Sequence, residues 1–444
     1  MSLADNLKRS FWVVWIYKIK FLIKAYHYSL AFLGALVYGF PSRRMRVIGV
    51  TGTKGKTTTC NLIAQIFNFS GYKTGMASTV NFRIGEEEWS NDAKQTMLGR
   101  FALQKLLKRM ANEGCKYAVV ETSSEGILQY RHRFINYRAA IFTNLSPEHI
   151  ERHGGFESYR AAKIKLFEAV AKKEDGVGVF NLDDENVEFF LKTKIERKYG
   201  YSLKNDDGRL NLTRKFFIDN VKIDKKGSSF NFNAEKFETS LVGEFNVYNV
   251  AAAIVVAVTQ GIDLQKIREG LKQAKAPAGR MEVVIQKPFW VVVDYAYEPK
   301  SLESALQTVG VFKPKRVITL VGSAGGGRDR WRRPVMGEVA DELADVVLVT
   351  TDDPYDEDPE KIVDEVLVGV LKNKKRVLGE NVFRVVDRKE AIYEALKMAK
   401  EGDLVFIPGK GGELWMNVAD GKKIPWSDVE IVREVLKSRK TTSF

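Results

Sequence analysis

The sequence predicts an α/β protein built from two successive, mostly parallel sheets. Short apolar strand-like runs alternate with helical patterns along most of the chain, the pattern of a parallel sheet with crossover helices. Glycine-rich or polar segments follow the C-terminal ends of those runs, the edge at which open α/β sheets bind ligands. The length, 444 residues, suits two or three domains.

The first unit opens at Arg46. RVIGV (46–50) reads as a strand, TGTKGKTTT as a tight loop, and NLIAQIFNF as a helix. YAVVE (117–121), AAIFTN (139–144) and GVGVFN (176–181) are further strands. Residues 208–242 switch to alternation, as in KFFIDNVKID, and predict a small antiparallel β appendage. Helices are expected around 246–260 and at 263–274, with a linker at AlaProAlaGly, 276–279. A second α/β unit then runs through WVVVDYA (290–296), RVITLVG (316–322), VVLVTT (346–351), FRVVD (383–387) and DLVFIPG (403–409). The expected domains are 1–45, 46–278 and 279–444. No repeat or low-complexity tract interrupts them.

The segment before the first unit is apolar and basic. Residues 11–40 read FWVVWIYKIKFLIKAYHYSLAFLGALVYGF, with Lys18, Lys20 and Lys24 breaking the apolar run. A membrane-spanning helix needs ~20 mostly apolar residues, so a span is borderline here. No small-residue cleavage site follows, which argues against a secretory signal. An interfacial helix and a helix packed on the protein body both fit.

Lys and Arg total 70 against 56 Asp and Glu, a net charge of +14. That excess suits a nucleotide, an anionic substrate, an acidic membrane surface or nucleic acid. No aromatic-basic motif points to nucleic acid, and no nucleic-acid partner is expected. Cys60 and Cys115 form no disulfide framework and suit a reducing cytoplasm. We place the protein there, as a monomer, with peripheral association at the inner face of the membrane through residues 1–45 as an open alternative.

The loop Gly52-Thr53-Lys54-Gly55-Lys56-Thr57-Thr58 lies between a strand and a helix. Backbone N–H groups of such a loop cradle phosphates, Lys56 reaches the terminal phosphates, and the Thr57 hydroxyl suits Mg²⁺. The loop alone permits a kinase, a motor ATPase or a ligase. Glu121 ends the YAVVE strand and is a natural oxygen ligand for Mg²⁺ beside a phosphate loop. His149 and His153 follow another strand end among acidic residues.

Taken in order, several segments resemble the Mur ligases. They are GTKGKTTT, Glu121-Thr-Ser-Ser, FTNLSPEHIERHGGFESYRAAKIKLF (142–167), GEFNVYNVAAA (243–253), GRMEVV (279–284) and DYAYEPKSLESAL (294–306). GSAGGGRDRWRRPVMG (322–337), DDPYDEDP (352–359) and GKGGE (409–413) are similar to the MurE branch, the UDP-N-acetylmuramyl-tripeptide synthetases. The resemblance spans roughly 46–435 and implies a P-loop-type central ATPase domain followed by a Rossmann-like C-terminal domain. It implies ATP-dependent joining of an amino acid to a peptide carboxylate through an acyl-phosphate, in cell-wall precursor synthesis. The two α/β units would close on each other and shield that intermediate from water.

The resemblance also implies residue roles. Lys56 and Thr57 would hold the ATP phosphates and one Mg²⁺ shared with Glu121. His149 would bind a second Mg²⁺, near Lys163, which matches a lysine that the family carries as a carbamate. Asn249 would contact adenine, Arg280 the γ-phosphate and Asp294 the ribose. Ser123 and Arg131 match positions for the acceptor substrate. Arg328, Asp353, Gly409 and Glu413 match positions for the incoming amino acid, with Tyr355 beside them.

The sequence also departs from the family pattern. Fewer residues precede the phosphate loop than the family's N-terminal UDP-binding domain needs, so that domain is expected to be absent. Glu125 stands in place of a histidine, Ala296-Tyr297 in place of AlaHis, and Gly412-Glu413 in place of GlyHisGlu. Asp352-Asp353-Pro354-Tyr355 replaces the Asp-Asn-Pro-Arg that accompanies meso-diaminopimelate, which favours L-lysine or L-ornithine. The alternatives are a relative acting on another carboxylate, as folylpolyglutamate synthase does, or a membrane-tethered ATP-binding scaffold. A scaffold should have lost Lys56, Glu121, His149 or Lys163, and the sequence retains all four.

Overall fold

A computed structural model describes residues 20–93, 95–147, 153–204, 212–327, 329–373 and 376–441. The chain forms two compact units. The first comprises 1–220, 230–237 and 248–274, and the second 221–229, 238–247 and 275–444.

An eleven-stranded sheet runs through β1 (Arg46–Thr51), β2 (Thr74–Ala77), β3 (Asn81–Ile84), β4 (Glu87–Ser90), β5 (Tyr117–Glu121), β6 (Tyr137–Phe142), β7 (Val177–Asn181), β8 (Arg197–Ser202), β9 (Arg214–Asp224), β10 (Gly227–Phe232) and β11 (Glu235–Thr239). Its order is β11-β10-β9-β8-β7-β6-β1-β5-β2-β3-β4. Neighbours from β2 through β5, β1, β6, β7 and β8 to β9 are parallel, and β2–β3–β4 turn antiparallel at one end. The alternating segment read as an appendage does not stand apart. Its strands extend the edge of this sheet, with β9 parallel to β8. β1 and β5 are almost wholly buried, as expected of parallel strands covered on both faces.

Two helices frame this unit's chemistry. α1 (Lys20–Val37) precedes the sheet, and α2 (Lys56–Phe69) leaves the phosphate loop. Ala31 and Ala35 of α1 are buried, and Tyr28 meets Tyr130 and Phe134 edge-on at 6.0 and 5.2 Å. The opposite side of α1 stays exposed although it is apolar: Leu22, Tyr26, Leu33, Leu36 and Val37 are each more than a third accessible, Val37 at 61%. Among the described residues no helix is long and apolar enough to cross a membrane.

The second unit contains a sheet of β12 (Glu282–Ile285), β13 (Trp290–Val293), β14 (Val317–Val321), β15 (Val346–Val349), β16 (Val382–Arg384) and β17 (Leu404–Ile407), ordered β12-β13-β17-β14-β15-β16. Only the β12–β13 pair is antiparallel. A hairpin of β18 (Trp415–Asn417) and β19 (Lys423–Pro425) follows. These parallel strands all end toward one edge, where the loops bearing Asp294, Asp353 and Gly409 emerge.

Candidate active site

In the first unit, β1 delivers the chain into a loop that only glycine can close. A Cβ on Gly52 would come within 1.9 Å of the Thr143 Oγ1, and Gly55 caps α2 at φ 81°. The loop is pinned from the β6 side. Thr53 N donates to the Asn144 carbonyl and Lys54 N to Asn144 Oδ1, both at 2.8 Å. Thr53 Oγ1 lies 3.1 Å from the Tyr159 hydroxyl. The Lys56 ammonium turns back onto the loop and donates to the carbonyls of Gly52 and Thr53, at 3.0 and 2.7 Å.

Glu121 closes the other side. β5 runs beside β1 with Glu121 opposite Val50, so the strand end sets its carboxylate against the first turn of α2. Thr57 Oγ1 donates to Glu121 Oε2 at 2.9 Å, and Thr79 donates to both carboxylate oxygens, from N and Oγ1, at 2.8 Å. Thr58 is buried beside them. Asn249 reaches the same junction: a Cβ on Gly55 would lie 2.2 Å from its Oδ1, which also accepts from Thr59 at 3.4 Å.

Lys163 arrives from α3 (Phe156–Val170). It is 2% exposed, its Nζ donates to the Gly52 carbonyl at 2.7 Å, and it sits 4.4 Å over the Tyr159 ring. His153 stands edge-on to Tyr159 at 5.1 Å. His149 lies outside the described residues. Thus Gly52 to Thr58, Glu121, Lys163 and Asn249 gather at one end of the first sheet. Ser123 and Arg131 are engaged just beyond it. Ser123 accepts from Gly126 N at 3.1 Å, and Arg131 binds the Gln129 and Gln95 side chains.

In the second unit, Arg280 lies with its guanidinium carbon 4.4 Å from the Tyr295 ring centre, and Asp294 Oδ2 accepts from Met281 N at 2.7 Å. A buried charge cluster joins the loops after β15 and β17. Lys410, 1% exposed, donates at 2.6 Å to both Asp353 Oδ1 and Glu413 Oε2, with Asp352 Oδ1 4.0 Å away. Asn417 donates to Asp353 from its backbone N and side chain, at 2.9 and 2.7 Å. Tyr295 donates to Glu413 Oε1 at 3.0 Å. Gly409, at φ 111°, leaves room for Asp352: a Cβ there would meet its Oδ2 at 2.9 Å.

The cluster is electrostatically uneven. Burial pushes Asp352 up to about 6, aided by Asp353 and Glu413 and opposed by Lys410 and Arg388. Burial also acts on Asp353, but the Lys410 ammonium and the Asn417 donors outweigh it and hold that carboxyl below the ordinary range. Burial would lower Lys410, yet the three carboxylates around it raise it. Arg388 forms a separate buried pair with Asp428 at 2.8 Å.

The sequence alone assigns no role to Lys410, Tyr295, Asn417 or Thr79. Lys410 was within reach, because a lysine between two glycines at a strand end is a signal like that of the first loop. Asn417 was not, since a short hairpin carries no periodicity. Arg328 lies outside the described residues. Tyr355 sits half-buried at φ 53°, its ring against Gly326, where a Cβ would come within 2.7 Å.

A phosphate loop with a carboxylate beside it, and a second α/β unit carrying an arginine and a clustered set of acids, are the equipment of an ATP-dependent ligase. Residues 50–257 match the Mur ligase middle domain, and residues 279–411 match the Mur ligase, glutamate ligase domain. The chain is 38% identical to the UDP-N-acetylmuramoyl-L-alanyl-D-glutamate--2,6-diaminopimelate ligase of Aquifex aeolicus (strain VF5), over 90% of this chain and 79% of that protein. It is 36% identical to the UDP-N-acetylmuramyl-tripeptide synthetase of Roseiflexus sp. (strain RS-1), over 92% of this chain and 82% of that one. A solved structure of a UDP-N-acetylmuramoyl-L-alanyl-D-glutamate--2,6-diaminopimelate ligase superposes with a TM-score of 0.62 at 30% identity, covering 89% of this chain and 79% of that one. The chain belongs to the Mur ligase family, and it is an ATP-dependent amide ligase of peptidoglycan-precursor synthesis.

Proposed function

We propose that the enzyme adds an amino acid with a cationic side chain to the D-glutamyl carboxylate of a UDP-N-acetylmuramyl-dipeptide. The Thr57–Glu121 pair at the phosphate loop carries the nucleotide half of this reading. Two hard oxygen donors lie 2.9 Å apart in a buried setting, which fits Mg²⁺. Bound there, with a second ion near Lys163 and His149, Mg²⁺ would neutralise charge on the phosphates. Lys56 and Arg280 stabilise the transferring γ-phosphoryl as the acceptor carboxylate attacks it in line and ADP leaves, giving the acyl-phosphate. Asn249 and Asp294 hold adenine and ribose, and Ser123 and Arg131 hold the acceptor. The amine then attacks the acyl-phosphate, releasing phosphate and leaving the amide. Phosphate release should require ATP, the muramyl-dipeptide and an amino acid together. Release independent of the acceptor would overturn this assignment.

The cluster around Lys410 supports the cationic side chain. Asp352, Asp353 and Glu413 surround the Lys410 ammonium, and the nearby Arg388 is already paired with Asp428, which leaves surplus negative charge beside Gly409. Arg332 and Arg333, two of the arginines that follow Arg328, are committed: Arg332 pairs with Glu298, and Arg333 with Glu357 and Glu365 at 2.8 and 2.7 Å. Neither is available to grip a distal carboxylate in two parallel bonds. L-Lysine or L-ornithine should therefore exceed meso-diaminopimelate by roughly 10²-fold in kcat/KM. The preference should sharpen as pH rises through about 6, where Asp352 ionises and adds negative charge. Incorporation of meso-diaminopimelate over lysine in direct competition at neutral pH would reverse this proposal.

The exposed side of α1 supports peripheral attachment to an anionic membrane surface by a monomeric enzyme. Leu22, Tyr26, Leu33, Leu36 and Val37 are exposed on a helix without an acidic residue, and Lys24, Arg43 and Arg44 supply cationic groups around it. Replacing Leu33 and Leu36 by glutamate should weaken binding to phosphatidylglycerol vesicles about tenfold or more. A chain starting at Ser42 should lose it. Equal vesicle binding by all three proteins would exclude the attachment.

A further inference from the structure

We infer that Tyr295 is a positioning residue that couples Arg280 to Glu413, holding the phosphate-facing cation and the amino-acid-facing carboxylate of the second unit in one fixed arrangement. The inference rests on the roles proposed above for those two residues. Tyr295 leaves the end of β13 and is gripped on several sides. Tyr297 meets its ring edge-on at 4.8 Å, and a Cβ on Gly411 would come within 2.8 Å of its Cβ. One face of the phenol takes the Arg280 guanidinium at 4.4 Å, and its hydroxyl donates to Glu413 Oε1 at 3.0 Å.

Each end depends on this side chain. Arg280 Nε is buried with no hydrogen-bond partner among the described residues, so the ring is what steadies that edge of the guanidinium. Glu413 is held from two directions, by Tyr295 on Oε1 and Lys410 on Oε2. Loss of the Tyr295 donor removes one restraint on Oε1 and leaves the carboxylate less firmly oriented. Desolvation of the phenol, then the nearby Glu413 carboxylate, push Tyr295 well above its ordinary range, so it stays a neutral donor. A Tyr side chain has only two rotatable bonds, so little freedom is lost in holding both groups. Misplacing a catalytic group by an ångström is enough to slow an enzyme strongly.

The two halves of the coupling separate by substitution. Tyr295→Phe keeps the ring and removes the hydroxyl. It should raise KM for the amino acid about tenfold while kcat and KM for ATP stay within about twofold. Tyr295→Leu removes both contacts and should additionally lower kcat about tenfold or more. The assay is phosphate release from ATP with UDP-N-acetylmuramyl-dipeptide and L-lysine or meso-diaminopimelate, with thermal unfolding of each variant alongside. Arg280→Ala and Glu413→Gln serve as references. If Arg280→Ala keeps full turnover, or the wild-type enzyme turns over neither amino acid, the functional reading fails and the coupling with it. If both references act while Tyr295→Phe matches wild type, or Phe and Leu change every parameter alike, the coupling alone is overturned.

Discussion

Lys56→Ala should lose at least about 10²–10³-fold in turnover while remaining folded. Lys56 opens α2, where the first turn leaves backbone N–H groups without helical partners and the helix dipole is positive. Its ammonium lies on the loop, bonded to two of the loop's own carbonyls at 3.0 and 2.7 Å. Those are neutral acceptors, and a terminal phosphate is a stronger one, so the side chain can exchange one for the other when ATP binds. Charge on the transferring phosphoryl then loses a close cation when alanine replaces it. The fold should tolerate the change. Lys56 is only half-buried, and alanine is a good residue in a first helical turn, so the stability change should stay near about 0.5 kcal/mol. Lys56→Arg keeps the charge but spreads it over a bulkier planar guanidinium that the tight loop does not fit, and it should recover little. Phosphate release and thermal unfolding measured on the same preparation check both claims. Wild-type turnover in a folded Lys56→Ala protein would remove the phosphate-loop assignment.

The parts of the fold that were legible are those with a repeated chemical reason. RVIGV, YAVVE, VVLVT and LVFI are buried on both faces, so their apolar content is continuous and their loops stand out. The helix of 246–260 was legible because it is apolar nearly all round, and its residues from Val247 to Ala257 include a long fully buried run. β2 was not, since Thr74-Gly-Met-Ala has no β-branched pattern and becomes a strand by pairing with β5 on one side and β3 on the other. The alternating segment was read correctly as strand but not in its placement, because alternation reports one covered face and is silent about which neighbour pairs. For the site, single residues at strand ends were readable, while their partners were not. Thr79 binds Glu121 from 42 residues away and Asn417 binds Asp353 from 64, distances that no local pattern encodes. Lys410 shows the same limit: its glycines were visible, but the three carboxylates that make it a buried counter-ion come from two loops.

Lys163→Ala should be nearly inactive, and the active enzyme should carry Lys163 as a carbamate. A lysine ammonium at 2% exposure is an unusual group to place beside a phosphate loop. It is steadied by the Gly52 carbonyl at 2.7 Å and the Tyr159 ring at 4.4 Å, so burial alone does not destabilise it. The difficulty appears when a divalent cation is held nearby, because two cations in a poorly solvated site repel. Reaction of the neutral amine with carbon dioxide forms an N–C bond and releases a proton, which replaces that cation with an anionic pair of oxygens. Those oxygens are hard donors of the kind Mg²⁺ prefers. The position is suited to holding such a group still, since Tyr159 is buried and its hydroxyl lies 3.1 Å from Thr53 Oγ1. Alanine would remove the oxygens and leave a cavity, and turnover should fall about 10²–10³-fold. Lys163→Glu, which supplies a carboxylate on a shorter stem, should recover part of it. Isotopically labelled bicarbonate should give a carbamate carbon signal in the wild-type protein that Lys163→Ala lacks, and stripping dissolved carbon dioxide should lower activity reversibly. If Lys163→Ala turns over near the wild-type rate, or the labelled signal is absent from active enzyme, Lys163 acts as a plain ammonium and the second metal site must be built without it.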